Sequence, residues 1–121
     1  MIAKSPNKVA ATNDPTAHAE VSAIRMACKK LKTFDLTGCT IYTSCEPCPM
    51  CLSAAYWAKI DAIYYANTKQ DAQDIGFSDQ FIYDELDKPM HNRMLPITQL
   101  MRDQALIAFK LWNQSAMRTA Y

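Results

Sequence analysis

The sequence predicts a single α/β domain, and three observations predict it. Between residues 15 and 66 the chain alternates helix, strand, helix and strand, an order that lays helices against a sheet. The two strand candidates, "CTIYTS" and "DAIYYA", are short and rich in β-branched and aromatic residues. The length of 121 residues, 50% of them hydrophobic, suits one core and one domain spanning 1–121.

Residues 2–11 are mixed and read as extended or looped. In "NDPTA", Asp14 caps a helix and Pro15 sits in its first turn, where a missing N–H costs nothing. That helix runs to about Leu31, with Val21, Ile24, Ala27, Cys28 and Leu31 on one face, and "KKLK" suits its negative end. "TFDLTG" is a loop, and residues 39–44 form the first strand. Residues 47–59, "PCPMCLSAAYWAK", form a second helix with prolines at its start, followed by a second, buried strand at 61–66. Trp57, Tyr64 and Tyr65 read as core residues, although Trp57 is near enough to the cysteines to border a site. Residues 67–88 are more polar, with short helical pieces at "QDAQDI" and "DQFIYDEL". "MLPITQL" is a candidate further strand, and residues 102–116 a terminal helix with Leu106, Phe109, Leu111 and Trp112 on its apolar side.

Composition narrows the function classes. A formal net charge of +1 gives no basic footprint, so a nucleic-acid partner is not expected. No run of 18 apolar residues occurs, so no membrane partner is expected, and "MIAKSPNKVAATNDP" lacks the apolar stretch of a secretory signal. Five cysteines, three of them between Cys45 and Cys51, point to a reducing, cytoplasmic setting and to metal chemistry over disulfides. The two glycines form no phosphate-binding loop.

The chemistry concentrates in "TAHAEV" and "CEPCPMC". Zinc takes tetrahedral thiolate and imidazole ligands, and a catalytic site keeps one position for water. Cys48 and Cys51, three apart at a helix start, project to one side, where the helix end favours thiolates. His18 supplies a nitrogen, making three protein ligands for Zn2+ and one open position. Glu20 is the candidate proton carrier. On a straight helix, two residues amount to about 200° of rotation, so His18 and Glu20 should not share a face, yet near a helix end both could reach one point. Cys28 and Cys39 read as small hydrophobes, Cys45 as either a buried neighbour or a spare thiol, and His91 as exposed.

H-x-E followed by P-C-x-x-C is the signature of the zinc nucleobase deaminases. On "NDPTAHAEV", "YTSCEPCPMC", "GFSDQFIY" and the closing Tyr121, the chain resembles the cytidine deaminase-like superfamily and, more narrowly, the bacterial guanine deaminases. The resemblance implies a three-layer α/β/α fold around a central mixed sheet. It implies Zn2+ on His18, Cys48 and Cys51, with Glu20 moving protons in the hydrolysis of guanine to xanthine and ammonia. It places Asn7, Ala19, Ser44, Trp57, Phe77, Asp79 and Tyr121 around the base. Asp79 is equally readable as the cap of the "DQFIYDEL" helix. Relatives carry a helix and a strand hairpin ahead of "NDPTAHAE"; this chain starts roughly 35 residues late by that comparison. A bared sheet edge would favour association, so at least a homodimer is expected, with segment 102–121 able to swap between subunits and Tyr121 to serve the partner's site.

Two rival readings stand beside this one. A deaminase of tRNA adenosine should have a basic C-terminal helix, whereas the last turns here carry only Lys110 and Arg118; cytosine is a further base. A truncated, inactive zinc-stabilised protein would have no need of Glu20.

Overall fold

The computed structural model describes residues 1–121. The chain divides into two compact units, Met1–Tyr83 and Asp84–Tyr121.

The first unit opens with a one-turn helix, α1 (Val9–Thr12), where extended or looped chain was expected. The Asn7 carboxamide oxygen accepts the Val9 N–H at 2.9 Å and so starts that turn. "NDPTA" does not begin the long helix. Asp14 Oδ1 accepts both the N–H and the hydroxyl of Thr16, at 2.8 and 2.7 Å, closing a tight turn around Pro15. With its carboxylate engaged there, Asp14 caps no helix, and α2 spans Ala19–Leu31 with His18 as its N-cap. The helix ends where Lys32 turns left-handed (φ 55°) and donates its N–H to the Cys28 carbonyl.

Strand β1 (Thr40–Cys45), helix α3 (Pro49–Trp57) and strand β2 (Ala62–Asn67) form a βαβ unit. The two strands pair in parallel, from Thr40 opposite Ala62 to Cys45 opposite Asn67. They make up the whole sheet. The core lies at the lower ends of α2 and α3, where Leu36, 2% exposed, packs with Ala27 and Ala58. Ile24, Cys28, Cys39 and Ile60 close around them, so Cys28 and Cys39 are small core hydrophobes as expected. Leu36 is also fixed by its backbone, donating to the Ala58 carbonyl and accepting from the Cys39 N–H, both at 2.9 Å.

The expectation of a buried second strand is corrected. Tyr64 and Tyr65 are 58% and 51% exposed, and Trp57 is 66% exposed. A sheet of two strands leaves one face bare, and there Tyr42 and Tyr64, opposite each other in register, stack with ring centroids 5.2 Å apart. Helix α4 (Lys69–Asp74) follows, opened by a capping box between Thr68 and Asp71. Helix α5 (Gln80–Asp87) carries the chain from the first unit into the second.

The second unit is built on Glu85. Its carboxylate accepts the Met94 N–H at 2.6 Å and pairs with Lys88, while Arg93 donates to the carbonyls of Glu85, Leu86 and Lys88. His91 lies exposed in the short 3-10 turn Met90–Asn92. "MLPITQL" is irregular, not a strand, because Met94 gives its N–H to Glu85 and Pro96 has none to give. Helix α6 (Arg102–Gln114) leaves Phe109, Leu111 and Trp112 exposed on what was expected to be its packed side.

Candidate metal centre

The start of α2 at Ala19 decides the geometry. As N-cap, His18 has extended backbone (φ −60°, ψ 156°) and lies outside the helical spiral, so the rotation that separates positions two apart does not apply. Its imidazole makes no cap hydrogen bond; Nδ1 lies 3.5 Å from both Cys48 Sγ and Cys51 Sγ. Glu20, in the first turn of α2, then reaches the same point. One carboxylate oxygen, Oε2, lies 3.4 Å from Cys51 Sγ, and the other, Oε1, accepts the Thr43 hydroxyl at 3.0 Å.

Helix α3 repeats the device. Cys48 is its N-cap, again extended (ψ 168°), and Pro49 occupies the first helical position without an orphan N–H. Cys48 Sγ accepts the N–H of Cys51, one turn in, at 3.5 Å. Cys48 is held down to about 6, first by the hydrogen bond from the Cys51 thiol and then, against burial, by the Cys51 N–H and the nearby His18. Cys51 is pushed up, because it gives that bond, is buried and faces Glu20. The two sulfurs are thus linked by a hydrogen bond, and a cation bound at this point would displace the proton between them.

The donor set fits zinc. Tetrahedral bonds of about 2.3 Å to sulfur and about 2.0 Å to nitrogen place N and S about 3.5 Å apart, matching both separations given above. The three donor atoms lie within 4.8 Å of one another. Three ligands leave a fourth position, and the carboxylate of Glu20 stands beside them.

Of the other residues expected at the site, Ala19 and Ser44 line, together with Glu20 and Thr43, a cavity of about 740 Å³ between α2, β1 and residues 1–5. The Ser44 carbonyl is fixed by Asn67 Nδ2 at 3.0 Å. Asn7 is held near His18 through its neighbour, since the Lys8 N–H donates to the Ala17 carbonyl at 2.9 Å. Asp79, half-buried just before α5, adds to the upward push that burial exerts on both Cys45 and Tyr83, so its charge bears on the thiol side of the unit. Phe77 is exposed in the turn before it. Trp57 does not share the thiolate end of α3. It stands at the opposite end, about 9 Å along the axis from Cys51. Tyr121 belongs to the second unit. Cys45 turns its sulfur to the Thr68 carbonyl at 3.9 Å and stands outside the donor cluster.

Sequence reasoning missed two contributors. Glu46 accepts the Lys69 N–H at 2.9 Å and ties the cysteine loop to α4, and Thr43 holds Glu20. Thr43 alternates with Ile41 and Cys45 on the more buried face of β1, a period-two signal readable in the sequence.

Two cysteine sulfurs, one imidazole and an adjacent carboxylate on a βαβ frame define a zinc-dependent deaminase. Residues 1–67 match the profile of the cytidine and deoxycytidylate deaminase zinc-binding region, and the chain belongs to that family. Over all 121 residues it is 50% identical to guanine deaminase of Bacillus subtilis (strain 168), of which it spans 78%. The X-ray structure of guanine deaminase from B. subtilis superposes with a TM-score of 0.96, covering 100% of this chain and 77% of that one. A guanine deaminase structure from Nitrosomonas europaea superposes with a TM-score of 0.60 and 28% identity, covering 92% of this chain and 64% of that one. A tRNA-specific adenosine deaminase of Agrobacterium fabrum (strain C58 / ATCC 33970) is 46% identical over 65 residues, 54% of this chain and 43% of that protein.

Proposed function

We propose that this protein hydrolyses guanine to xanthine and ammonia. The observation that carries the reading is the reach of the likeness. The likeness to the Agrobacterium tRNA deaminase extends over 65 residues, whereas that to the Bacillus guanine deaminase extends over all 121, at 50% identity.

His18, Cys48 and Cys51 would hold zinc, which would lower the pKa of water at the site to about 7. Glu20 carries the protons. It accepts one from the attacking water and delivers it to a ring nitrogen, then moves a second to the amino group that leaves as ammonia. Ala19 and Ser44 line the base side of the cavity beside Glu20. Asn7, Phe77, Asp79 and Tyr121 are assigned to the edges of the base, with Asp79 facing the guanine amino group.

Ammonia release from guanine, adenine, adenosine and cytosine tests the reading. Turnover of guanine above the others is expected, and Glu20→Gln is expected to keep its zinc while kcat falls by about 10²- to 10⁴-fold. Release from adenosine or cytosine in preference to guanine would overturn the substrate, and zinc loss in Glu20→Gln would overturn the proton-carrier role.

We also infer a cytoplasmic homodimer acting in purine breakdown, with segment 102–121 exchanged so that Tyr121 closes the partner's pocket. The exposed Ile107, Phe109, Leu111 and Trp112 on α6 support a covering surface of this kind. Sedimentation equilibrium at the mass of one 13.7 kDa chain would refute it.

A further inference from the structure

The hydroxyl of Thr43 has one proton and lone pairs to accept with. Its oxygen accepts the Cys45 N–H, at 3.5 Å, and its proton is directed to Glu20 Oε1, at 3.0 Å. Both partners are fixed by the fold. Cys45 is bound into β1 opposite Asn67, and Glu20 lies in the first turn of α2. The Cys45 N–H can only donate, so the hydroxyl is oriented as donor to the carboxylate. The two oxygens of Glu20 are thereby made unequal. Oε1 accepts from the Thr43 hydroxyl, while Oε2 accepts from Cys51 Sγ, at 3.4 Å, on the side of the proposed metal donors.

We propose that Thr43 is a positioning residue for the deamination, fixing Glu20 so that Oε2 alone takes up and delivers protons. The proposal rests on the guanine deaminase reading for its reaction but not for its geometry. In the reaction, guanine and water give xanthine and ammonia. One proton passes from water to Oε2 and on to a ring nitrogen. A second passes from the hydroxyl of the tetrahedral carbon to Oε2 and on to the departing amino group. Each transfer returns Glu20 to carboxylate, and the C–N bond breaks as ammonia forms. Without the Thr43 hydroxyl the carboxylate can rotate, and either oxygen can sit in the unproductive place. The loss falls on turnover, because Thr43 meets Glu20 and not the three metal donors.

The test compares Thr43→Val, which keeps the shape and removes the hydroxyl, with Thr43→Ser, which keeps the hydroxyl. A hydrogen bond to a charged group corresponds to about a ten- to hundredfold effect on rate. Thr43→Val is expected to lose that much kcat with KM changed by less than about threefold and with zinc content unchanged, while Thr43→Ser recovers most of the turnover. A Thr43→Val enzyme within about threefold of the parent kcat, or a Thr43→Ser enzyme as slow as Thr43→Val, overturns the proposal.

A second measurement needs no substrate. The urea midpoints of zinc-loaded Thr43→Val, Glu20→Ala and the double variant form a cycle. Thr43→Val is expected to lower the midpoint in the parent and to have a smaller effect in the Glu20→Ala background. Equal shifts in both backgrounds would show that the two side chains are not coupled and would overturn the proposal. If the parent deaminates a base other than guanine, or none, the substrate reading fails while this cycle still reports on the Thr43–Glu20 bond.

Discussion

Leu36→Ala tests whether the metal centre depends on the core beneath it. Leu36 is 2% exposed and packs between Ala27 of α2 and Ala58 just past α3, the two helices that carry His18 and the cysteines. Truncating isobutyl to methyl removes three buried carbons, a transfer loss of about 2.4 kcal/mol at about 0.8 kcal/mol each. The space left adds about 1 kcal/mol for every 40 Å³ or so that fails to collapse. Collapse is restricted, because the Leu36 backbone is bonded to both Ala58 and Cys39. The expected loss is therefore about 3–4 kcal/mol, which at a urea slope of about 2 kcal/mol/M moves the midpoint down by about 1.5–2 M. Far-UV circular dichroism of the zinc-loaded protein through a urea series measures it, with the slope compared between the parent and the variant. A loss below about 1 kcal/mol at unchanged slope would refute the packing of Leu36 between the two helices, since a buried leucine there cannot be that cheap to truncate.

Two further outcomes follow from side chains around the centre. Cys45→Ser is expected to retain one zinc per chain and Cys48→Ser to lose it, because Cys45 faces the Thr68 carbonyl and burial pushes its thiol up, away from the thiolate a metal needs; metal analysis after dialysis decides, and zinc loss in Cys45→Ser would count against the three-donor assignment. Asp35, which accepts the Thr37 hydroxyl and N–H and pairs with Lys59 at 3.1 Å, is lowered from 3.8 to about 2. A carboxyl lower in the folded than in the unfolded chain stabilises above the unfolded value, and that contribution disappears as pH falls from 3.8 to about 2. The gap in urea midpoint between the parent and Asp35→Asn should therefore narrow across that window, and a constant gap would refute it.

The metal centre was legible because its chemistry is carried by residue type and spacing together. Few structural settings call for H-x-E and P-C-x-x-C at once, and the βαβ frame followed from the strands flanking the cysteine helix. The helix start was not legible. Asp14 and Pro15 fit a capped helix as well as they fit a turn, and the choice is made by Thr16, whose N–H and hydroxyl both claim the Asp14 carboxylate. Tyr64, Tyr65 and Trp57 were expected inside because their surface is mostly apolar. Burial, however, depends on what covers a face, and composition does not specify that for a sheet of two strands. Thr43 was hidden for the opposite reason. A threonine in a strand is so ordinary that only its partner, twenty-three residues back on another element, gives it a role.

The displacement of the helix start changes what "TAHAEV" means. Had α2 begun at Pro15, His18 and Glu20 would lie about 200° apart, and one of them would face away from the cysteines. Because the Asp14–Thr16 turn ends the preceding segment, His18 is left extended and Glu20 helical, and the two side chains converge from different backbone geometries. Cys48 and Cys51 solve the same problem in the same way, one at the N-cap and one a turn inside. Each helix thus contributes one side chain from outside its spiral and one from within it. Three of these four are the donors that could hold a metal, and the fourth, Glu20, has one oxygen bonded to Thr43. On the proposed reading, the division between ligand and proton carrier is set by a turn before α2 and a hydroxyl on β1, and not by the spacing of His18 and Glu20 alone.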